Sequence, residues 1–167
     1  MANSQTKQSE KKCVVRLAKA ADIPQVIDID AENTGLFKDE YWQDLFERYN
    51  NRAADIDDDV QPKSVKRYRF FLVACDGDTV LGFIIGEIRA WEFGSPPCGW
   101  VFAIGVRNEI RQAGVGNTLF EALNDRFRKA GANKVRTMLA RDHTLIMSFF
   151  RSQGMMAGPF IELEKDL

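Results

Sequence analysis

The stretch RQAGVG, Arg111 to Gly116, sets two glycines one residue apart, three residues after an arginine. It lies between an apolar run, Trp100 to Val106, and an amphipathic run, Thr118 to Ala130. Such a turn can bind an anion. The first N–H groups of a helix have no internal partner, and the helix dipole adds about half a positive charge there. Glycine removes the Cβ that would hold off a phosphate oxygen. A pyrophosphate or similar group is the natural ligand, with Arg111 placed to orient or neutralise it. The plain alternative is a tight turn whose glycines only satisfy backbone angles. Two nucleotide loops do not fit: no Gly-Lys-Ser/Thr follows, and GVGNTL lacks the third glycine of a dinucleotide fingerprint.

Other residues could move protons. Glu87, in GFIIGEI, alternates with Phe83 and Ile85 and is expected on their face. If that face lines a cleft, burial raises its proton affinity toward that of a useful base. Otherwise it is a solvated strand charge, as Glu92 just beyond it would be. His143 is the only histidine, read as a surface residue near a helix start or as a ligand contact or base. Cys98 has no His or Asp beside it and reads as a structural thiol. Cys13, Cys75 and Cys98 are odd in number and far apart, which disfavours a zinc site and a disulfide framework. The expectation is a reduced cytoplasmic protein without a metal.

These residues need elements to hold them. The chain has 167 residues, 45% of them apolar, and a net charge of -1. That suits one domain with a sizeable core, expected over 13–167 after a frayed start over 1–12. There is no basic field for nucleic acid, and no apolar run approaches the roughly 20 residues of a membrane span. Strand signals fall at Cys13–Ala18, on both sides of the Asp76-Gly77 turn within Arg69–Ala90, at Cys98–Val106, at Lys134–Ala140 and in the tail PFIELEKDL. Helix signals begin at Asp22 and Pro24, cover Lys38 to about Arg52, follow the glycine turn as far as Gly131, and cover His143–Gln153 with Asp142 as cap. Asp55 to Ser64 reads as a surface loop. Three strands joined by short turns are antiparallel, and the strand–helix–strand unit after them is a parallel crossover. The fold class is therefore α/β: a mostly antiparallel mixed sheet with helices on both faces.

GVRNEIRQAGVGNTLFEAL resembles the coenzyme-A-binding motif of the GCN5-related N-acetyltransferase (GNAT) superfamily, Arg/Gln-x-x-Gly-x-Gly/Ala, with Arg111, Gly114 and Gly116 at the matching positions. SFFRSQGM, Ser148 to Met155, resembles the family's Tyr-x-x-x-Gly-Phe helix ending. The element order matches across roughly 13–165. The resemblance implies acetyl-CoA as cosubstrate and direct acetyl transfer to a primary amine in a ternary complex. It implies that main-chain N–H groups of Gln112, Ala113, Gly114, Val115 and Gly116 cradle the pyrophosphate. Ile104 to Val106 would bind the pantetheine arm, and the N–H of Val106 would polarise the thioester carbonyl. His143 and Phe150 would contact the coenzyme. Two positions depart from the pattern: Phe150 replaces the usual proton-donating tyrosine, and Trp100 stands where some members carry a basic glutamate. That leaves Glu87 as the candidate base.

The resemblance also implies an acceptor site shaped by the first two helices. The run from Asp28 to Asp59 is strongly acidic and would attract a cationic amine, whether a polyamine, an aminoglycoside-like compound, a lysine side chain or a peptide N-terminus. Tyr41, Trp42, Phe46 and Tyr49 either line an aromatic acceptor pocket or form the helix's buried face. The competing readings are a non-catalytic acyl-CoA sensor and an acyltransferase for longer chains. A homodimer is compatible with the resemblance, though no interface signal is visible.

Overall fold

The computed structural model describes residues 13–50 and 68–167. The frayed start and the Asp55–Ser64 loop lie outside them. The chain divides into two compact units, Met1–Thr137 and Met138–Leu167.

The first unit runs β1 (Val14–Leu17), α1 (Ile23–Thr34), α2 (Asp39–Asn50), β2 (Arg69–Asp76), β3 (Thr79–Arg89), β4 (Cys98–Val106), α3 (Val115–Lys129) and β5 (Val135–Thr137). The five strands form one sheet in chain order, antiparallel except for the parallel β4–β5 pair. This is the mixed sheet expected from the spacing of turns. Phe71, Val73, Cys75, Phe83 and Ile85 alternate onto one face and pack under Ile23, Val26 and Ile27 of α1 and Trp42 and Leu45 of α2. On the other face Leu119, Phe120, Leu123 and Phe127 of α3 are buried. Gly82 and Gly86 of β3 let α3 sit that close. A Cβ at Gly86 would lie 2.6 Å from the Trp100 carbonyl and 2.7 Å from the Phe127 ring.

Local chemistry explains the element ends. α1 starts with Pro24 in its first turn, where a missing N–H costs nothing. It ends at Gly35, φ 73°, whose N–H donates to the Ala31 carbonyl at 2.8 Å. Asp22 marks the start without capping α1. Its carboxylate instead accepts from the Lys19 N–H at 2.7 Å and from Arg16 at 2.6 and 2.9 Å. The Arg16 hydrogen bond holds the Asp22 carboxyl below its ordinary value of 3.8. A depressed carboxyl stabilises the fold above its unfolded pKa, and that gain is lost as pH falls through the folded value. Asp22→Asn is therefore expected to cost about 1.5 kcal/mol at pH 7. Melting curves at several pH values should show the gap to the wild type closing below about pH 4.

α2 is pinned to α1 through a buried carboxylate. Asp30 accepts from Trp42 Nε1 at 2.8 Å and pairs with Lys38 Nζ at 2.8 Å. The expected aromatic stripe is thus mainly core. Trp42 is buried, edge-on to Phe83, and Phe46 packs on Phe71. Tyr41 remains half exposed.

The second unit holds α4 (Thr144–Ser152), closed by Gly154 at φ 80°. Three expectations need correction. Asp142 does not cap α4: His143 precedes the helix, and no side-chain cap bond forms. The strand expected over Lys134–Ala140 shortens to Val135–Thr137, because only Gly99–Val101 of β4 pair with it. The tail PFIELEKDL forms no strand. Its Ile161 and Leu163 are 84% and 90% exposed. Alternation makes a segment competent for a sheet, but a strand needs a partner edge.

Candidate functional site

β4 opens a notch in the sheet. Ile85 and Gly86 of β3 are consecutive, yet they pair with Ala103 and Val101, so Phe102 is an extra residue bulging from β4. Upstream of the bulge, the Gly99 N–H donates toward β5, to the Lys134 carbonyl at 2.9 Å. Downstream, the Arg107 N–H donates toward β3, to the Leu81 carbonyl at 3.0 Å. Amides alternate in direction along a strand, so those of Ile104 and Val106 face away from β3. They face the side where β5 has already ended at Thr137. Thr137 marks that end, its Oγ1 donating to the Val101 carbonyl at 3.0 Å.

The strand leads into the glycine turn through an element not legible beforehand, a 3₁₀ helix over Asn108–Ala113. Gly114 follows at φ 77°, ψ 5°, and is the N-cap of α3. This left-handed geometry suits glycine, and a Cβ built there meets nothing within 4 Å. The position is open to an approaching group. Gly116 lies in the first turn of α3, and Val115 beside it is buried. Ala113 is exposed, as is Arg111.

Arg111 is tied to α1. Its Nη2 donates to Asn33 Oδ1 at 2.6 Å, and Asn33 Nδ2 donates to the Val106 carbonyl at 3.3 Å. One amide side chain therefore joins the end of α1 to both the end of β4 and the arginine of the turn. Nothing local in the sequence marks Asn33, because its partners lie 73 and 78 positions away.

Glu87 does share the face of Phe83 and Ile85, but its oxygens are engaged. Oε1 accepts from Arg89 Nε at 2.9 Å. Oε2 accepts from the Tyr49 hydroxyl at 3.3 Å and lies 3.5 Å from Arg69 Nε. Burial, reinforced by the Glu87 charge, pushes the Tyr49 hydroxyl well above the ordinary phenol value, so Tyr49 stays a donor. Arg89 also reaches Glu92 at 3.1 Å. Trp100 pairs with Glu87 across β3 and β4. Cys98 is buried at the start of β4 and, like Cys13 and Cys75, is a free thiol.

The structure thus gathers Glu87, Ile104, Val106 and the 111–116 turn on one unit. His143, exposed before α4, and Phe150, buried within α4, belong to the other. The acidic stretch is partly spent. Asp30 is paired, Asp44 pairs with Arg48, and Asp55 to Asp59 lie outside the described residues. Asp28, Asp39 and Glu47 do line a groove of about 430 Å³ between α1 and α2, floored by Ile23, Ile27 and Phe46. None of its lining residues lies on β4 or the glycine turn. Among the described residues no group of three His, Cys, Asp or Glu could hold a metal ion, and no helix is long and apolar enough to cross a membrane.

The sequence profile of the acetyltransferase (GNAT) family matches residues 30–155. No curated protein matches the chain by sequence. Solved structures share its fold at low identity. An aminoglycoside N-acetyltransferase, AAC(6')-Iy in complex with CoA, superimposes with a TM-score of 0.75 at 12% identity, over 97% of this chain and 99% of that one. A ribosomal-protein-alanine N-acetyltransferase from Brucella melitensis biovar Abortus 2308 gives 0.67 at 16%, over 93% and 99%. A transcriptional regulator from Bacillus halodurans C-125 gives 0.71 at 13%, over 93% and 99%.

Proposed function

The chain belongs to the GNAT acetyltransferase family, and from that premise we propose that it transfers the acetyl group of acetyl-CoA directly to the primary amine of a cationic acceptor. The observation that carries this is the open edge of β4 at Ile104 and Val106, running into the glycine turn at Gly114. Main-chain N–H groups of Gln112 to Gly116 hold the pyrophosphate at the start of α3. Ile104 and Val106 pair with the amide-bearing pantetheine arm as a missing strand would. The Val106 N–H polarises the thioester carbonyl, stabilising the oxyanion as it forms. Holding both reactants together supplies much of the remaining acceleration. The amine nitrogen bonds to the acetyl carbon, the carbon–sulfur bond breaks, and the nitrogen's proton passes to solvent or a base. Phe150 has no proton to give, so the thiolate departs as the anion. The carboxylates of the α1–α2 groove favour cations on this side of the sheet. The free cysteines fit a reduced, cytoplasmic setting.

The test is thermal. Acetyl-CoA at a hundred times its dissociation constant should add about 2.7 kcal/mol, which is roughly 5 to 10 °C in Tm for a domain of this size. ATP and NAD serve as controls. No shift, or an equal one with ATP, would leave Gly114 and Gly116 as an ordinary turn or a generic phosphate site.

Glu87 has its own test. A true general base contributes about 10² to 10⁴ in rate. With Arg89, Tyr49 and Arg69 around its oxygens, Glu87 serves first as the anchor of this cluster. Glu87→Gln is expected to lower kcat by less than about tenfold and to leave the pH profile in place, the proton leaving through water. A hundredfold loss together with loss of the acidic limb of the profile would make Glu87 the base after all. The engaged carboxylate also sustains a second reading, a non-catalytic acyl-CoA sensor. Steady thiol release with any amine excludes it.

A further inference from the structure

We infer that the β3–β4 connection is an acceptor-selecting platform, in which Trp91, Phe93, Trp100 and Phe102 take the flat apolar body of the acceptor amine. The inference rests on the acetyl-transfer reading above and names the class of substrate for it. Trp91 sits at φ 65°, ψ 0° and Phe93 at φ 55°, ψ 29°. These are the only positive-φ residues other than glycine among the described residues. Large side chains enter this region only at a cost, and such outliers persist where the surroundings hold them. The turn is held by its own backbone. The Trp91 N–H donates to the Ser95 carbonyl at 2.9 Å, and the Ser95 N–H to the Glu92 carbonyl at 3.1 Å. Trp91 and Phe93 are 67% and 64% exposed.

From Phe93 the rings continue as a layer. Phe93 lies 6.0 Å from Trp100, centroid to centroid. The Arg89 guanidinium lies 4.7 Å from the centre of the Phe102 ring and 5.9 Å from that of Trp100. Phe102 is the bulged residue of β4, two positions before Ile104, so the layer adjoins the open edge. Charge here is balanced. Glu87 and Glu92 face Arg89, and Glu87 also faces Arg69. A polyamine or amino sugar with several charges therefore finds no uncompensated carboxylate on this surface. An amine on an aromatic body finds exposed ring faces and a stacked guanidinium.

The test measures thiol release from acetyl-CoA with phenethylamine and tryptamine against cadaverine and spermidine. The proteins are the wild type, the Trp91→Gly/Phe93→Gly double variant and Trp91→Asn. Glycine and asparagine accept left-handed backbone, so these variants should melt within a few degrees of the wild type. The wild type should prefer the aryl amines by about tenfold or more in kcat/KM, and the double variant should raise their KM by a similar factor while the KM for acetyl-CoA stays put. Trp91→Asn should fall between. Equal use of aryl and polar amines, or equal loss of both in the variants, overturns the platform and leaves acetyl transfer standing. A wild-type dimer that dissociates in the double variant also overturns it, assigning the rings to a second copy of the chain. No acetyl-CoA thermal shift, or no thiol release with any amine, removes the acetyl-transfer reading and the platform with it.

Discussion

Gly114→Val is expected to erase the thermal response to acetyl-CoA while the protein still folds. Gly114 stands at φ 77°, a region that β-branched residues avoid. The backbone penalty is roughly 1–2 kcal/mol, an affordable loss for a domain of ordinary stability. The added Cβ itself meets nothing within 4 Å in the protein. The damage falls on the ligand. Valine places methyl groups in the space kept clear before the first turn of α3 and biases the turn away from its left-handed form. Of the wild-type gain of about 2.7 kcal/mol at a hundred dissociation constants, little should remain when each protein is compared with its own ligand-free Tm. Gly114→Asn separates the two causes, since asparagine tolerates the backbone but still adds a side chain. A valine variant with the full wild-type shift would remove the pyrophosphate from this turn.

The second large effect is on folding. Gly86→Val should destabilise by about 3 kcal/mol or more, at the upper end of overpacking effects. The added Cβ alone would lie 2.6 Å from the Trp100 carbonyl, 2.7 Å from the Phe127 ring and 3.0 Å from Leu123. Backbone cannot yield as a long side chain can, so β4 must shift at Trp100, and the Phe127 and Leu123 side chains of α3 must move aside as well. Denaturant midpoints should fall sharply, with Gly86→Ala between variant and wild type. Because Gly86 is paired beside the Phe102 bulge, an Ala variant that folds should also bind acetyl-CoA more weakly. A midpoint unchanged within error for Gly86→Val would mean that α3 does not press on β3 as described.

Most of the fold was legible because its signals are local. Gly77 at φ 58° turns the hairpin where Asp76-Gly77 predicted it, and the apolar periods of α1, α2 and α3 match their buried faces. The glycine turn was legible for the same reason: a strand, two glycines and an amphipathic run follow one another in the chain. What was not legible depends on distant partners. The tail alternates like a strand but has no ladder. Alternation puts Glu87 on its face and Arg89 stands two residues on, but Tyr49 and Arg69 reach it from α2 and β2. Asn33 reaches across 78 positions to Arg111. The bulge at Phe102 arises from the register between two strands, which no single run of residues announces.

The bulge makes the outcome a matter of counting. Every second amide of a strand points to one neighbour, so leaving one residue out of the ladder exchanges the sides for all that follow. With Phe102 in place, the amides of Ile104 and Val106 face the gap beyond Thr137. Counted by twos from the Gly99 amide, which faces β5, an unbulged strand of the same length would turn them inward onto β3, and the sheet would be ordinary. No substitution at Phe102 undoes this, since any residue there keeps the parity. The chemistry of this edge is thus encoded in which position the ladder skips, whatever side chain stands there.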